Sequence, residues 1–168
     1  MKSNVTLIGM PGAGKSTVGI ILAKVLSFGF IDTDILIQIS QRKSLQQIMD
    51  ETGHLNLRTV EELEILNIHR SDHVIATGGS AVYSEKAMTH LQGISEIIFL
   101  RVGYQEILRR LHNATTRGLA KPREQTLLEL YNERQPLYER YAEATIDCTG
   151  LDQEEIAEYI AKKYRQQG

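Results

Sequence analysis

The chain has 168 residues, of which 42% are hydrophobic and 24% charged, and carries a formal net charge of −2. That length suits one domain with a single hydrophobic core. The slight negative charge excludes a general electrostatic grip on nucleic acid or on a membrane surface, so any bound anion must be met by local positive charge.

Along the chain, short apolar runs alternate with helical patterns. Val5 to Ile8 reads as a strand, and Val18, Ile21, Leu22, Val25 and Leu26 follow at helical spacing. Phe28 to Ile31 reads as a second strand, Ile35 to Gln41 as a helix, and Ser44 as the cap of a short helix through Asp50 that Gly53 should end. A helix over about Leu57 to His69 leads to a third strand at Val74 to Ala76, which runs directly into Gly78 and Gly79. Ile97 to Val102 reads as a strand, Tyr104 to His112 and Thr126 to Tyr141 as helices, Ala144 to Asp147 as a last strand and Asp152 to Tyr164 as the closing helix. Strands separated by helices predict an α/β fold: a five-stranded parallel sheet with helices on both faces, whose ligands bind at the carboxyl ends of the strands.

The apolar start, Val5 to Ile8, is too short for a signal-peptide core, and no apolar run approaches the length of a membrane span. Cys148 is the single cysteine, so no internal disulfide can form, and no Cys and His cluster has metal-ligand spacing. Those features suit a reducing cytoplasm. They predict a monomer that meets small molecules, with no nucleic acid and no membrane among its partners.

The strongest motif is Gly9-Met10-Pro11-Gly12-Ala13-Gly14-Lys15-Ser16, which matches G-x-x-x-x-G-K-[ST] between a predicted strand and a predicted helix. Glycines at those positions let successive N–H groups wrap phosphate oxygens at a helix N-terminus. Gly12, Ala13, Gly14, Lys15, Ser16 and Thr17 are therefore the candidate ATP-binding residues, with Lys15 at the β and γ phosphates and the Ser16 hydroxyl on Mg²⁺. No guanine-reading Asn-Lys-x-Asp segment is present, and the third strand ends without a carboxylate. Asp32, at the end of the second strand, is then the second candidate ligand for Mg²⁺. Asp32-Thr33-Asp34 would place two carboxylates on one side of an extended backbone, which makes Asp34 the candidate catalytic group beside the attacking hydroxyl. An Asx turn with Asp34 capping a helix is the competing structural reading. Asn113 to Gln125 lacks apolar periodicity and holds Arg117, Lys121 and Arg123, the composition of a functional loop.

Gly9 to Thr17 with Val18-Gly19, Asp32-x-Asp34, Arg58 with Glu61, Ala76-Thr77-Gly78-Gly79 followed by Val82, and Arg134-x-Pro136-Leu137-Tyr138 together resemble the shikimate kinase family over nearly the whole chain. The resemblance implies a P-loop NTPase fold of the nucleoside-monophosphate-kinase type, one kinase domain over 1–168. It implies substrate-binding helices over about 34–70 and a lid over about 113–125. It implies an ATP- and Mg²⁺-dependent enzyme that phosphorylates a hydroxyl of shikimate, giving shikimate 3-phosphate for aromatic amino-acid biosynthesis. Arg58 and Arg134 would hold the substrate carboxylate, Glu61 would hold the Arg58 guanidinium one helical turn away, and Gly78 and Gly79 would bring backbone N–H groups against the acceptor. Arg117 would be a catalytic lid residue.

Three positions depart from the family pattern. Ser80 stands where a third glycine is usual, Gly53-His54-Leu55-Asn56-Leu57-Arg58 replaces Gly-Glu-x-x-Phe-Arg, and Arg117-Gly118-Leu119 replaces Arg-Pro-Leu. Ser80 joins the candidate substrate contacts, either tolerated beside shikimate or bonded to a different hydroxyl-bearing acceptor such as homoserine or a sugar acid. A nucleotide-binding homologue without acceptor chemistry and a nucleoside-monophosphate kinase are the alternatives from other classes.

Overall fold

A computed structural model describes residues 2–112 and 119–167. Five parallel strands form one sheet in the order β2-β3-β1-β4-β5: β1 is Asn4–Ile8, β2 Gly29–Asp32, β3 His73–Ala76, β4 Ser95–Arg101 and β5 Ala144–Asp147. β1 lies at the centre, with Val5 opposite Val74 of β3 on one side and Glu96 of β4 on the other. Every residue of β1, and all but the last of β4, is buried. Alternate side chains of a strand point to opposite faces, so burial of all of them means that both faces of the sheet are covered.

The helices are α1 (Lys15–Leu26), α2 (Thr33–Gln41), α3 (Leu45–Leu66), α4 (Glu85–Ile94), α5 (Tyr104–His112), α6 (Leu127–Tyr141) and α7 (Gln153–Gln167). α1 packs on α7, and α3 packs on α4. The main core joins Leu7, Ile8, Leu22, Ile75, Phe99 and Tyr138 with the buried faces of these helices. A smaller cluster of Ile37, Ile48, Leu57, Val60 and Ala120 lies under α2 and α3. Among the described residues no helix is long and apolar enough to cross a membrane.

α3 consists of two helical stretches broken at Gly53, where φ is 81° and ψ 173°, the break that the sequence predicts. Glycine enters this backbone region at little cost and breaks the helix locally, while packing carries the chain onward. α4 has no counterpart in the sequence reading, although Ser84 is a cap residue and Ala87, Met88 and Leu91 are its buried stripe. Between β3 and α4 a short 3₁₀ turn, Ala81–Tyr83, follows the glycine pair.

Chain connectivity sets where a ligand can bind. From β1 the chain crosses to β2 on one side of the sheet, while β4 and β5 lie on the other. Loops at the carboxyl end of β1 and its neighbours therefore border a crevice, and the loops after β1, β2 and β3 meet there.

The Ser84 hydroxyl oxygen accepts from the Ala87 N–H at 3.0 Å and its proton goes to the Glu62 carboxylate of α3. It thus caps α4 and ties it to α3. Ser84→Ala is expected to destabilise the fold by about 1–2 kcal/mol, read as a lower urea midpoint at an unchanged slope. An unchanged midpoint would show that neither bond carries net stability.

Candidate active site

The phosphate loop leaves β1 at Gly9 and enters α1 at Lys15, with Gly12 at φ 83° and Gly14 at φ 91°. Side chains other than glycine are strained there. Gly14 is the N-cap of α1 and supplies no side-chain acceptor, and the first turn holds no acidic residue. By contrast α2, α3, α4 and α6 are each capped by a side chain, from Asp32, Ser44, Ser84 and Thr126. The positive end of α1 is thus left to an external anion.

Lys15 is buried, and its Nζ donates to the Gly9 and Met10 carbonyls at 2.8 and 2.9 Å. Burial pulls its ammonium down to about 8; Asp34 opposes the shift and Arg134 adds to it. The Ser16 hydroxyl donates to Asp32 Oδ2 at 2.5 Å, and Asp32 Oδ1 accepts from the Asp34 N–H at 3.0 Å. Asp32 is therefore the helix cap, and Asp34 lies in the first turn of α2. That corrects both the extended backbone expected across Asp32-x-Asp34 and the reading of Asp34 as the cap. Extended geometry stops at Asp32 because its side chain captures the N–H two residues on. Both carboxylates nevertheless line the same cavity of about 350 Å³, with Gly12, Lys15, Ser16, Glu61, Gly78, Ser80 and Arg134. This volume lies within the range of small-molecule sites.

Thr33, buried between the two aspartates, accepts the Gly78 N–H at 3.0 Å. The expected turn of that N–H toward an acceptor is thus overturned: the bond instead fixes the loop after β3 to the start of α2. What Gly78 supplies is space. A Cβ there would lie 2.3 Å from Glu61 Oε1 and 2.9 Å from Asp34 Oδ1, and one on Gly79 would lie 2.7 Å from Arg134 Nη1.

Glu61 is buried and accepts the Ser80 hydroxyl on Oε2, while Oε1 has no hydrogen-bond partner among the described residues. Burial pushes its carboxyl up to about 7; the Asp34 carboxylate adds to the rise, and the Ser80 hydrogen bond, Arg134 and Lys15 oppose it. The ion pair expected between Glu61 and Arg58 does not form. Arg58 places its guanidinium carbon 3.6 Å from the centre of the Tyr83 ring, and its Nη2 donates to the Ala120 carbonyl at 3.4 Å. Ser80, whose Cβ and hydroxyl a glycine would lack, has drawn the carboxylate to itself. Its hydroxyl proton is thereby directed into the wall of the site.

Arg134 is 1% exposed and donates through Nη2 to the same Ala120 carbonyl at 2.9 Å. The two arginines thus converge on one oxygen. Tyr138 donates to the Gly79 carbonyl at 2.7 Å and stacks on Phe99. Of the expected lid, Leu119 and Ala120 line the cavity, and Arg117 lies outside the described residues. Arg110, absent from the sequence reading, donates through Nη1 to the Gly12 carbonyl at 3.0 Å while Glu106 holds its Nε at 2.7 Å. Its signal was the Arg109-Arg110 pair, three and four residues after Glu106 on one helix.

Among the described residues no group of three or more His, Cys, Asp or Glu side chains could hold a metal ion. Ser16 and Asp32 instead offer one hydroxyl and one carboxylate beside the open end of α1. That set fits a hard ion that keeps several waters and takes further ligands from phosphate.

Comparison with known proteins gives one answer. The shikimate kinase family model matches residues 11–165. A shikimate kinase of Thermodesulfovibrio yellowstonii is 38% identical over 164 residues, covering 96% of this chain and 94% of the relative. One of Caldanaerobacter subterraneus subsp. tengcongensis is 35% identical, covering 96% and 95%. The solved structure of shikimate kinase from Acinetobacter baumannii in complex with shikimate superposes with a TM-score of 0.91 at 28% identity, covering 98% of this chain and 94% of that one.

Protonation of Glu61 couples the site to stability. Its folded-state value lies above its ordinary one, so below pH about 4.5 the carboxyl is neutral in folded and unfolded chains and carries no penalty. Between about 4.5 and 7 the unfolded chain ionises first, and stability falls as pH rises. Urea titrations of wild type against Glu61→Gln should show wild type losing on the order of 3 kcal/mol relative to the variant across that window. A difference independent of pH would place the ionised carboxylate in the fold at ordinary pKa.

Proposed function

The chain belongs to the shikimate kinase family, and on that premise we propose that it transfers the γ-phosphoryl group of ATP to a hydroxyl of shikimate, giving shikimate 3-phosphate and ADP. One observation carries this reading. The uncapped N-terminus of α1, with Lys15, faces a cavity lined by Asp34, Ala120 and Arg134, and Arg58, behind that lining, donates to the same Ala120 carbonyl as Arg134. Cation and helix dipole suit the polyphosphate of the donor, and paired guanidiniums suit the carboxylate of the acceptor.

In this reading the acceptor hydroxyl oxygen bonds to the γ-phosphorus as the bond from that phosphorus to the bridging oxygen of ADP breaks, and Asp34 orients the hydroxyl and receives its proton. Lys15 exchanges its two carbonyl partners for β- and γ-phosphate oxygens, compensating charge that develops during transfer. The N–H groups of Gly12, Gly14, Ser16 and Thr17 receive the phosphates, while the Ala13 N–H holds the loop's turn by donating to the Met10 carbonyl at 3.0 Å. Gly78, Gly79 and Ser80 form the acceptor wall, shaped by close approach. Arg117 is the candidate lid residue of this reading. Ser16 and Asp32 would hold Mg²⁺, which when bound neutralises charge on the β- and γ-phosphates. The same reading makes the enzyme a cytoplasmic monomer, supported by its single, buried Cys148.

Ser80 bears on the choice of acceptor. With its hydroxyl donated to Glu61 it adds bulk to the wall but no donor for an alternative substrate, which favours shikimate over homoserine or a sugar acid.

A coupled ADP assay should show turnover that requires shikimate, ATP and Mg²⁺ together. Lys15→Ala is expected to lower kcat about 10²- to 10³-fold, and Asp34→Asn about 10²- to 10⁴-fold. Turnover of homoserine in place of shikimate would overturn the acceptor assignment, and undiminished turnover by Asp34→Asn would remove its role in proton transfer.

A further inference from the structure

We propose that Tyr83 is a positioning residue for acceptor recognition: its ring face holds the Arg58 guanidinium in the plane needed to grip the substrate carboxylate, in place of the Glu61 carboxylate. This rests on the reading of the chain as a shikimate kinase.

The starting point is what Arg58 lacks. Among the described residues neither Arg58 nor Arg134 forms an ion pair with a carboxylate, and Arg58 Nε is buried without a hydrogen-bond partner. A long side chain with one marginal bond, to Ala120, would lose its orientation to rotamer freedom. The Tyr83 ring lies 3.6 Å from its guanidinium carbon, a distance that requires the planar group to lie close over the ring. The same ring lies 5.3 Å from the guanidinium carbon of Arg134, whose Nε donates to the Tyr83 hydroxyl at 3.4 Å. One aromatic side chain therefore touches both cations that meet at the Ala120 carbonyl, of which Arg134 lines the cavity.

Tyr83 is itself fixed. Its hydroxyl donates to the Glu133 carboxylate, and Glu133 in turn accepts from Gln125. Its N–H closes the 3₁₀ turn on the Ser80 carbonyl at 3.1 Å. Ser80 and Tyr83 thus form the two ends of one turn: one end takes Glu61, and the other supplies Arg58 with a replacement. The substitution matters electrostatically. A carboxylate partner would neutralise the guanidinium it orients, whereas a ring face orients it and leaves its charge and its Nη donors for an incoming anion.

The discriminating experiment compares shikimate with its uncharged methyl ester in wild type, Tyr83→Leu and Tyr83→Phe. Tyr83→Leu should raise KM for shikimate about 3- to 30-fold, the range of a cation–π contact, with KM for ATP unchanged. Its preference for shikimate over the ester should shrink by the same factor. Tyr83→Phe keeps the ring and should keep most of that preference. An unchanged preference in Tyr83→Leu overturns the proposal, as does a Tyr83→Phe defect equal to that of Tyr83→Leu, which would assign the effect to the hydroxyl. If Tyr83→Leu does not fold by thermal melting, Tyr83→Met carries the same comparison. Wild-type turnover of shikimate tests the functional reading separately. If wild type binds shikimate without turning it over, calorimetric affinities of the same variants decide the role of Tyr83; if it binds none, both fall.

Discussion

Lys15, Glu61 and Arg134 are all buried around one cavity, with the Asp34 carboxylate among them. Removing any such charge from water singly would be costly, and its burial is tolerable only near opposite charge and hydrogen-bond partners. Each member accordingly shifts the others: Asp34 opposes the fall of the Lys15 ammonium and adds to the rise of the Glu61 carboxyl. The backbone is shaped to let them meet. Gly78 and Gly79 lack the Cβ atoms that would collide with Glu61, Asp34 and Arg134, and the Thr33 hydroxyl locks that backbone against α2. Loop conformation, strand order and helix placement are thus tied to one small volume in which charges of both signs must balance.

The parallel sheet makes this possible by delivering three loops to the same edge. β1 supplies the phosphate loop, β2 supplies Asp32 and Asp34, and β3 supplies the glycine pair. Register is fixed most firmly at β1, buried on both faces, and along β3, whose last three residues are buried, where a slip would expose core residues; β2 is half-buried and follows β3. The N-terminus of α1, where Gly14 offers no side-chain cap and the first turn no acidic residue, is the one that opens on the cavity.

What the sequence disclosed follows the range of the interactions concerned. The phosphate loop was legible because its requirements lie within eight consecutive residues and concern backbone geometry. The five strands and most helices were legible from local periodicity, and α4 was equally legible from Ser84, Ala87, Met88 and Leu91, although it was missed. Asp34 was a candidate through its spacing from Asp32, and Arg58 and Arg134 through the pattern they share with a family. Partners were another matter. The Ser80 hydrogen bond to Glu61, the Gly78 N–H to Thr33 and the Arg110 contact with Gly12 join residues 19, 45 and 98 positions apart. No local pattern selects among the many acceptors that a folded chain brings within reach. The expected Glu61 and Arg58 pair was a sound local inference, since residues three apart share a helix face. A tertiary hydrogen bond won because the buried carboxylate has a donor on the facing turn.

That displacement gives one departure from the family pattern, Ser80, a physical consequence. A serine at position 80, taken alone, looks like a foreign hydroxyl in an acceptor site. Its proton nevertheless goes to Glu61, so its first effect is on the protein's own charges. Loss of the Glu61 contact would leave Arg58 poorly held if nothing else changed. The same turn places Tyr83 against it. Two residues three apart on a 3₁₀ turn stand nearly above one another, so a single rigid element exchanges one support for another while both arginines keep the Ala120 carbonyl. The exchange also alters how recognition is driven: two cations that share a neutral ring repel one another until an anion arrives between them. In the proposed reading, acceptor selectivity then rests on the charge of Arg58, with which no carboxylate among the described residues pairs.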